Sequence, residues 1–544
     1  MLMRKINRSI LMLMMCVCLG TNTFGQTATG IWNVVDYGAK GDGTTLDTKA
    51  IQAAIDACHD AGGGRVYLQN GQFVSGTIIL KDNVTLEVEA GAVLRASRNL
   101  DDFPIMPSKY PSYEGEMVTN KMLIYAEDAT RISIIGRGTI DGGGDYWVAG
   151  PYQKPSFSGR PRIIHFRGCE NVQVRDVTLY NSASWVQSYQ SCRNMVISGI
   201  TVDSRENKDI NKERYADVRG RNTDGLDLVD CNFVRISDCL INSGDDAICL
   251  KSFSPDESCS NITITNCVVS ANASGIKIGT ETAGTMEDIV ISNCVVFDTR
   301  GAGIALMTAD GAQVRRVSVT DISMRNIKGG GIFVRLGTRL RPYRKGVTIN
   351  TPALEDIHIT NVQGTGIFGA YGCSITGVPG MPVKNVALKN INLTFDGGGT
   401  AEDAERVIPE NEKNYPAGTM FGTLPAYGFF IRHVKNIQMD DVTLRVIQQD
   451  HRPAVVADDV SNFDLTGLEA DGSPESAAMI RLVNANEVLL AENNPRSSVP
   501  VFAEITGSHS QGIRLLNNRL QNAGNVYAVK NGADESQIKV STNF

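Results

Sequence analysis

One short phrase returns along this chain and limits what it can fold into: apolar-x-apolar-x, closed by Asn, Asp or Gly. Examples are Val172-Gln-Val-Arg-Asp176, Ile262-Thr-Ile-Thr-Asn266, Ile289-Val-Ile-Ser-Asn293 and Val386-Ala-Leu-Lys-Asn390. The closing residue recurs at Asp176, Gly199, Asp238, Asn266, Asn293, Asp321, Asn361, Asn390, Asp441 and Gly467. Period-2 alternation is a strand signal, and Asn, Asp or Gly tolerates the left-handed turn that ends it. A unit of about 25 residues is too short for a helix-bearing crossover, so the repeat predicts an all-β, right-handed parallel β-helix. A leucine-rich repeat would need regular Leu positions and a helical return, and neither is present. With 6% aromatic residues and 54 Gly in 544 residues, the core is expected to be built from thin, branched side chains between tight turns.

Stacked coils place residues of one register above one another at about 4.8 Å. Cys239, Cys267 and Cys294 each follow a turn residue and are expected to form a ladder. Parallel side chains at strand spacing hold their Cβ atoms slightly too far apart for a good disulfide, so buried free thiols are at least as well supported as bridges. From Thr44 to Ala61, Ala50, Ile51, Ala54, Ile55 and Cys58 recur at helical spacing before Gly62-Gly63-Gly64, which predicts a helix capping the open first coil. Residues 26–110 are read as this cap and the first coils, and 111–544 as the β-helix carrying the site. Three long gaps in the repeat predict insertions around 202–222, 337–350 and 397–425, positioned to wall a groove.

Arg4, Lys5 and Arg8 precede an apolar run from Ile10 to Leu19, a signal-peptide pattern with cleavage expected after Gly25. The run is too short to span a bilayer, and no later stretch reaches the roughly 18 apolar residues a membrane helix needs. Met14-Met15 before Cys16 lacks the small residues of a lipoprotein signal. The mature chain is expected to be exported, periplasmic or extracellular, and monomeric. A net charge of -7 offers no general positive footprint for nucleic acid.

The densest polar chemistry lies in two successive coils, Asn222-Thr-Asp-Gly-Leu-Asp227 and Ser243-Gly-Asp-Asp-Ala-Ile248. Register aligns Asp224 with Asp246, Ser274 and Ala302. Carboxylates one strand apart cannot all ionise at ordinary pKa values, so at least one is expected to hold a proton near neutrality. Spacing alone leaves three readings open: a glycosidase acid and base, a solvated acidic patch, or a calcium site. His59, His165, His358, His451 and His509 have no ligand spacing, so zinc is not expected, and no cofactor or metal is assigned.

At these residues the chain resembles glycoside hydrolase family 28, the polygalacturonases and rhamnogalacturonan hydrolases of pectin breakdown. The resemblance rests on Asn222-Thr-Asp-Gly225, Gly244-Asp-Asp246, Gly138-Thr-Ile-Asp-Gly142 with Trp147, and Ser184-Trp185 before Cys192, and it runs from about 30 to 470. It implies Asp245 as the general acid, and Asp224 with Asp246 as the pair activating water for inversion. Close carboxylates ordinarily accompany retention; the family inverts, and the resemblance implies inversion. Asn222 belongs to the same substrate-facing motif.

Two departures bear on substrate. Where polygalacturonases carry Gly-His-Gly this chain has Ala273-Ser274-Gly275, and Ile304-Ala-Leu-Met307 replaces Arg-Ile-Lys. Replacement cations are expected from Lys277, three residues past Ser274, and from Lys251, Arg335 and Arg432, which share one register; Arg can hold a uronate carboxylate bidentately. His433, beside Arg432, is a further candidate. Trp185 offers either a flat face to a sugar ring or a core contact. The chain is thus expected to be an inverting hydrolase of galacturonate-containing, decorated or rhamnogalacturonan-type pectin. The rivals are a β-helical lyase acting on uronate polymers with calcium, and a non-catalytic glycan-binding β-helix.

Overall fold

The computed structural model describes residues 30–110, 120–149, 159–205 and 222–544. The expected signal segment, most of the 202–222 insertion and the side chain of Trp147 lie outside the described residues. No described helix is long and apolar enough to cross a membrane.

The chain winds as a right-handed parallel β-helix. One coil shows the pattern: strands Arg162–Arg167, Glu170–Arg175 and Thr178–Tyr180 pair in parallel with Gln187–Gln190, Arg193–Ser198 and Thr201–Asp203 of the next. The stack passes position 110 without a break, because Val84–Val88 pairs with Ser133–Gly136. It also continues past the repeat read from the sequence, to Ile538–Ser541.

All ten closing residues of the phrase are left-handed, with φ between +52° and +70°. Their side chains link the coils: Asn266 donates to Asp238 at 3.2 Å, Asn361 to Asp321 at 2.9 Å and Asn390 to Asn361 at 3.0 Å. A second ladder stands at the residue before the phrase, where Asn385 donates to Asp356, Asn436 to Asn385 and Asn462 to Asn436. Inside, one continuous core of Val, Ile and Leu runs the length of the stack. Cys239, Cys267 and Cys294 stack as expected and are unbridged. A longer thiol ladder, Cys169, Cys192, Cys231 and Cys259, stands at another corner.

The capping helix, α1 (Thr48–Asp60), starts four residues later than the apolar spacing indicated. Asp47 turns its carboxylate back onto the amides of Lys40 and Gly41, and Asp42–Leu46 is a strand. Ile51, Ala54, Ile55 and Cys58 are buried, closing the end of the core.

Candidate active site

The sheet that bears the site presents alternate residues outward in rows. One row runs Ser188, Asp227, Cys249, Lys277, Ala305, Phe333. Its neighbour runs Met307, Arg335, Thr376 and Arg432, so Arg335 and Arg432 share the expected register, whereas Lys251, beside Val229, is cut off from that row by a register shift after Leu250. Just before these strands Asp224, Asp246, Ser274 and Ala302 follow one another coil by coil, held by the amides of Gly225, Ala247 and Gly275.

Asp224, Asp245 and Asp246 each bring an oxygen within 4.8 Å of the others. Asn222 donates to Asp245 at 3.4 Å, and Asp245 is 9% exposed. Asp246 is anchored by the Ser274 amide at 2.8 Å and by Lys277 Nζ at 2.8 Å. Thr223 links the two motif coils, its hydroxyl accepting from the Gly244 amide and donating to the Ser204 carbonyl.

Environment separates the carboxyls. Burial, reinforced by the charges of Asp227 and Asp245, pushes Asp224 well above the usual carboxylate range. Burial also acts upward on Asp246, but Lys277, Lys251 and the Ser274 amide outweigh it and hold Asp246 below its ordinary value. Asp227 is buried without a hydrogen bond to its carboxylate and is raised to about 7 despite Lys251 and Arg162. The surroundings thus favour the protonated form of Asp224 and the ionised form of Asp246. These oxygens are also the one group among the described residues able to hold a hard cation. Lys277 at Asp246 and Lys251 4.0 Å from Asp224 both oppose a divalent ion there.

The remaining expected residues fall into two groups. Lys277 and Ser274 line a cavity of 420 Å³ with Asp245 and Asp246. Lys251 lies deeper, bonded to Glu281 at 2.9 Å, with its ammonium over the Trp185 ring. Trp185 is packed on its other contacts by Arg162, with Val229, Phe253, Ala283 and Tyr343 in one apolar cluster, which is the core alternative.

Arg335 and Arg432 face the 397–425 insertion. Arg335 is fully buried and donates to the carbonyls of Gly377 and Glu410. Arg432 donates to those of Ile408 and Pro409, and both guanidiniums lie near the Phe421 ring. Arg452 and Arg481 extend the series, donating to Leu424 and Ala404 carbonyls. His433 bridges Asp459 at 2.6 Å and Glu410 at 3.2 Å. The insertion seats Ile408, Phe421 and Leu424 over Ala302, Ala305, Met307 and Phe333. A cation at Ala305 or Met307 would lie beneath this apolar cover, which accounts physically for the missing Arg-Ile-Lys. Gly418 makes the close seating feasible, since a Cβ there would collide with the Gly329 carbonyl.

Tyr415, Arg300, Lys328, Phe368 and Tyr371 complete the cavity and were not singled out from the sequence. Tyr415 reaches it from the insertion, accepting from Thr280 across 135 residues of chain. Asp227 did carry a signal, since strand alternation alone sets it on the row of Lys277.

The family model of glycosyl hydrolases family 28 matches residues 72–411. A probable polygalacturonase of Vitis vinifera is 30% identical over 54% of this chain and 61% of its own length. An exo-poly-alpha-D-galacturonosidase of Dickeya chrysanthemi is 26% identical over 58% and 59%. The chain thus spans about three-fifths of the length of these curated relatives. Among solved structures, a hyperthermoactive exopolygalacturonase from Thermotoga maritima aligns with a TM-score of 0.56 at 20% identity, covering 75% of this chain and 91% of that one, a likeness of fold. With the family model spanning well over half of the chain, the protein belongs to glycosyl hydrolases family 28.

Proposed function

We propose that the protein is an exported, inverting hydrolase of galacturonate-containing pectic chains, decorated or rhamnose-containing rather than plain polygalacturonate. The observation that carries this reading is the close cluster of Asp224, Asp245 and Asp246, two of which, Asp245 and Asp246, line a sugar-sized cavity, with Lys277 on Asp246. Asp245 is the general acid toward the leaving oxygen. Asp246, its ionised form favoured by Lys277, deprotonates the attacking water, and Asp224 beside it orients that water. As the bond breaks, a proton passes from Asp245 to the leaving oxygen and one from water to Asp246. The water oxygen bonds to the anomeric carbon from the face opposite the departing sugar.

The insertion covers the sheet from Ala302 onward and walls the cavity with residues Tyr415 to Thr419, which supports cleavage near a chain end. Two relatives whose names mention exo-acting enzymes accord with this. The test is product analysis on polygalacturonate, a rhamnogalacturonan and a neutral galactan. Saturated mono- or disaccharides released faster from the rhamnogalacturonan than from polygalacturonate support the reading. Unsaturated products that vanish with chelator would establish the lyase instead, and binding without bond cleavage would establish the glycan-binding protein.

A further inference from the structure

We propose that Arg300 and Lys328, from consecutive coils, form the subsite that reads a uronate carboxylate beside the cleaved bond; this rests on the hydrolase reading above. The basic residues expected from the sequence to read the substrate make other contacts. Arg335 and Arg432 hold backbone carbonyls of the insertion, Lys251 is bonded to Glu281, and Lys277 is 4% exposed and neutralises Asp246.

The cavity's other two cations are Arg300 and Lys328, both only half-buried. They stand on one edge of the stack, where the Arg300 amide donates to Ala271 and the Lys328 amide to Thr299 of the preceding coil. That places them about 4.8 Å apart along the helix axis, close enough for one carboxylate to meet both. Arg300 is oriented by its Nε bond to Asn272 at 3.2 Å, and Lys328 lies 5.6 Å from the centre of the Phe368 ring. With Tyr371 tilted against Phe368 at 5.4 Å, the same wall offers aromatic surface to a sugar ring. Two cations side by side on one wall suit an anionic residue better than a neutral one.

Calorimetry on an Asp245→Asn background, with trigalacturonate and its methyl ester as probes, tests this. Arg300→Gln and Lys328→Met should each weaken the acid by about tenfold and the ester by less than about threefold, and Lys328→Arg should restore most of the loss. Added salt should weaken the parent's binding of the acid and affect Lys328→Met less. Should Arg300→Gln unfold, Lys328→Met with its Arg rescue gives the same reading. Equal losses on both probes, or none, would overturn the proposal. Cation-dependent binding of the acid by an intact protein that cleaves no pectic chain would leave the subsite standing and remove the hydrolase reading. Cleavage of galacturonan by the intact protein, with binding indifferent to both variants, would do the reverse.

Discussion

Lys277 Nζ lies 2.8 Å from Asp246 Oδ2 with both groups buried, and its charge favours the ionised carboxylate against that burial. Without the ammonium, burial would act on Asp246 as it does on Asp224. In Lys277→Met the acid limb of the kcat/KM profile should therefore move to higher pH, with a loss of at least about tenfold near pH 5. An unchanged acid limb would show that Asp246 is not the group whose ionisation matters.

Asp227 gives a stability prediction with the opposite sign to an ordinary buried salt bridge. Its folded value of about 7 lies above the unfolded 3.8, so its contribution is fully present below the unfolded value and is lost as pH rises through 7. Asp227→Asn should raise the thermal midpoint at about pH 8 and have little effect near pH 4. A loss of stability at the higher pH would mean that its contact with Lys251, at 3.5 Å, outweighs its burial.

Arg335 and Arg432 serve as straps for the insertion, and their truncation should act without regard to substrate charge. Each Met variant should lose about 1–3 kcal/mol of stability and expose residues 397–425 to protease, because buried carbonyls lose their donors. Activity on acidic and neutral pectic substrates should fall in equal proportion. A loss confined to acidic substrates would return these arginines to a direct role in binding.

The two cysteine ladders should titrate as free thiols in the unfolded, unreduced protein, in keeping with the ten unbridged cysteines of the described residues. Mass mapping of a bridge within either ladder would show that the coils approach more closely than strand spacing allows.

The coil repeat was legible because each turn needs a left-handed residue, which marks the sequence at Asp176 or Asn293 as plainly as it marks the backbone. The same regularity makes the rows readable, and Arg335 and Arg432 do stand in one register, while the irregularity after Leu250 takes Lys251 out of it. Register fixes where a strand residue stands but not what an insertion lays over it. The contacts of Arg335 with Glu410, and of Tyr415 with Thr280, depend on a segment that follows no repeat. Arg300 and Lys328 were passed over for a related reason: they sit at a corner between strands, where the period-2 pattern has lapsed. The start of α1 moved to Thr48 because Asp47 found backbone donors in Lys40 and Gly41, a contact that apolar spacing cannot register.

The most direct measurement follows the first products released from polygalacturonate and rhamnogalacturonan by proton NMR, comparing the intact protein with Asp245→Asn. The intact protein should yield saturated sugars whose new reducing end first appears in the anomeric configuration opposite to that of the cleaved bond, and Asp245→Asn should be slower by at least about a hundredfold. Retained configuration, an unsaturated product, or near-normal turnover by Asp245→Asn would contradict inversion by the Asp224, Asp245 and Asp246 cluster.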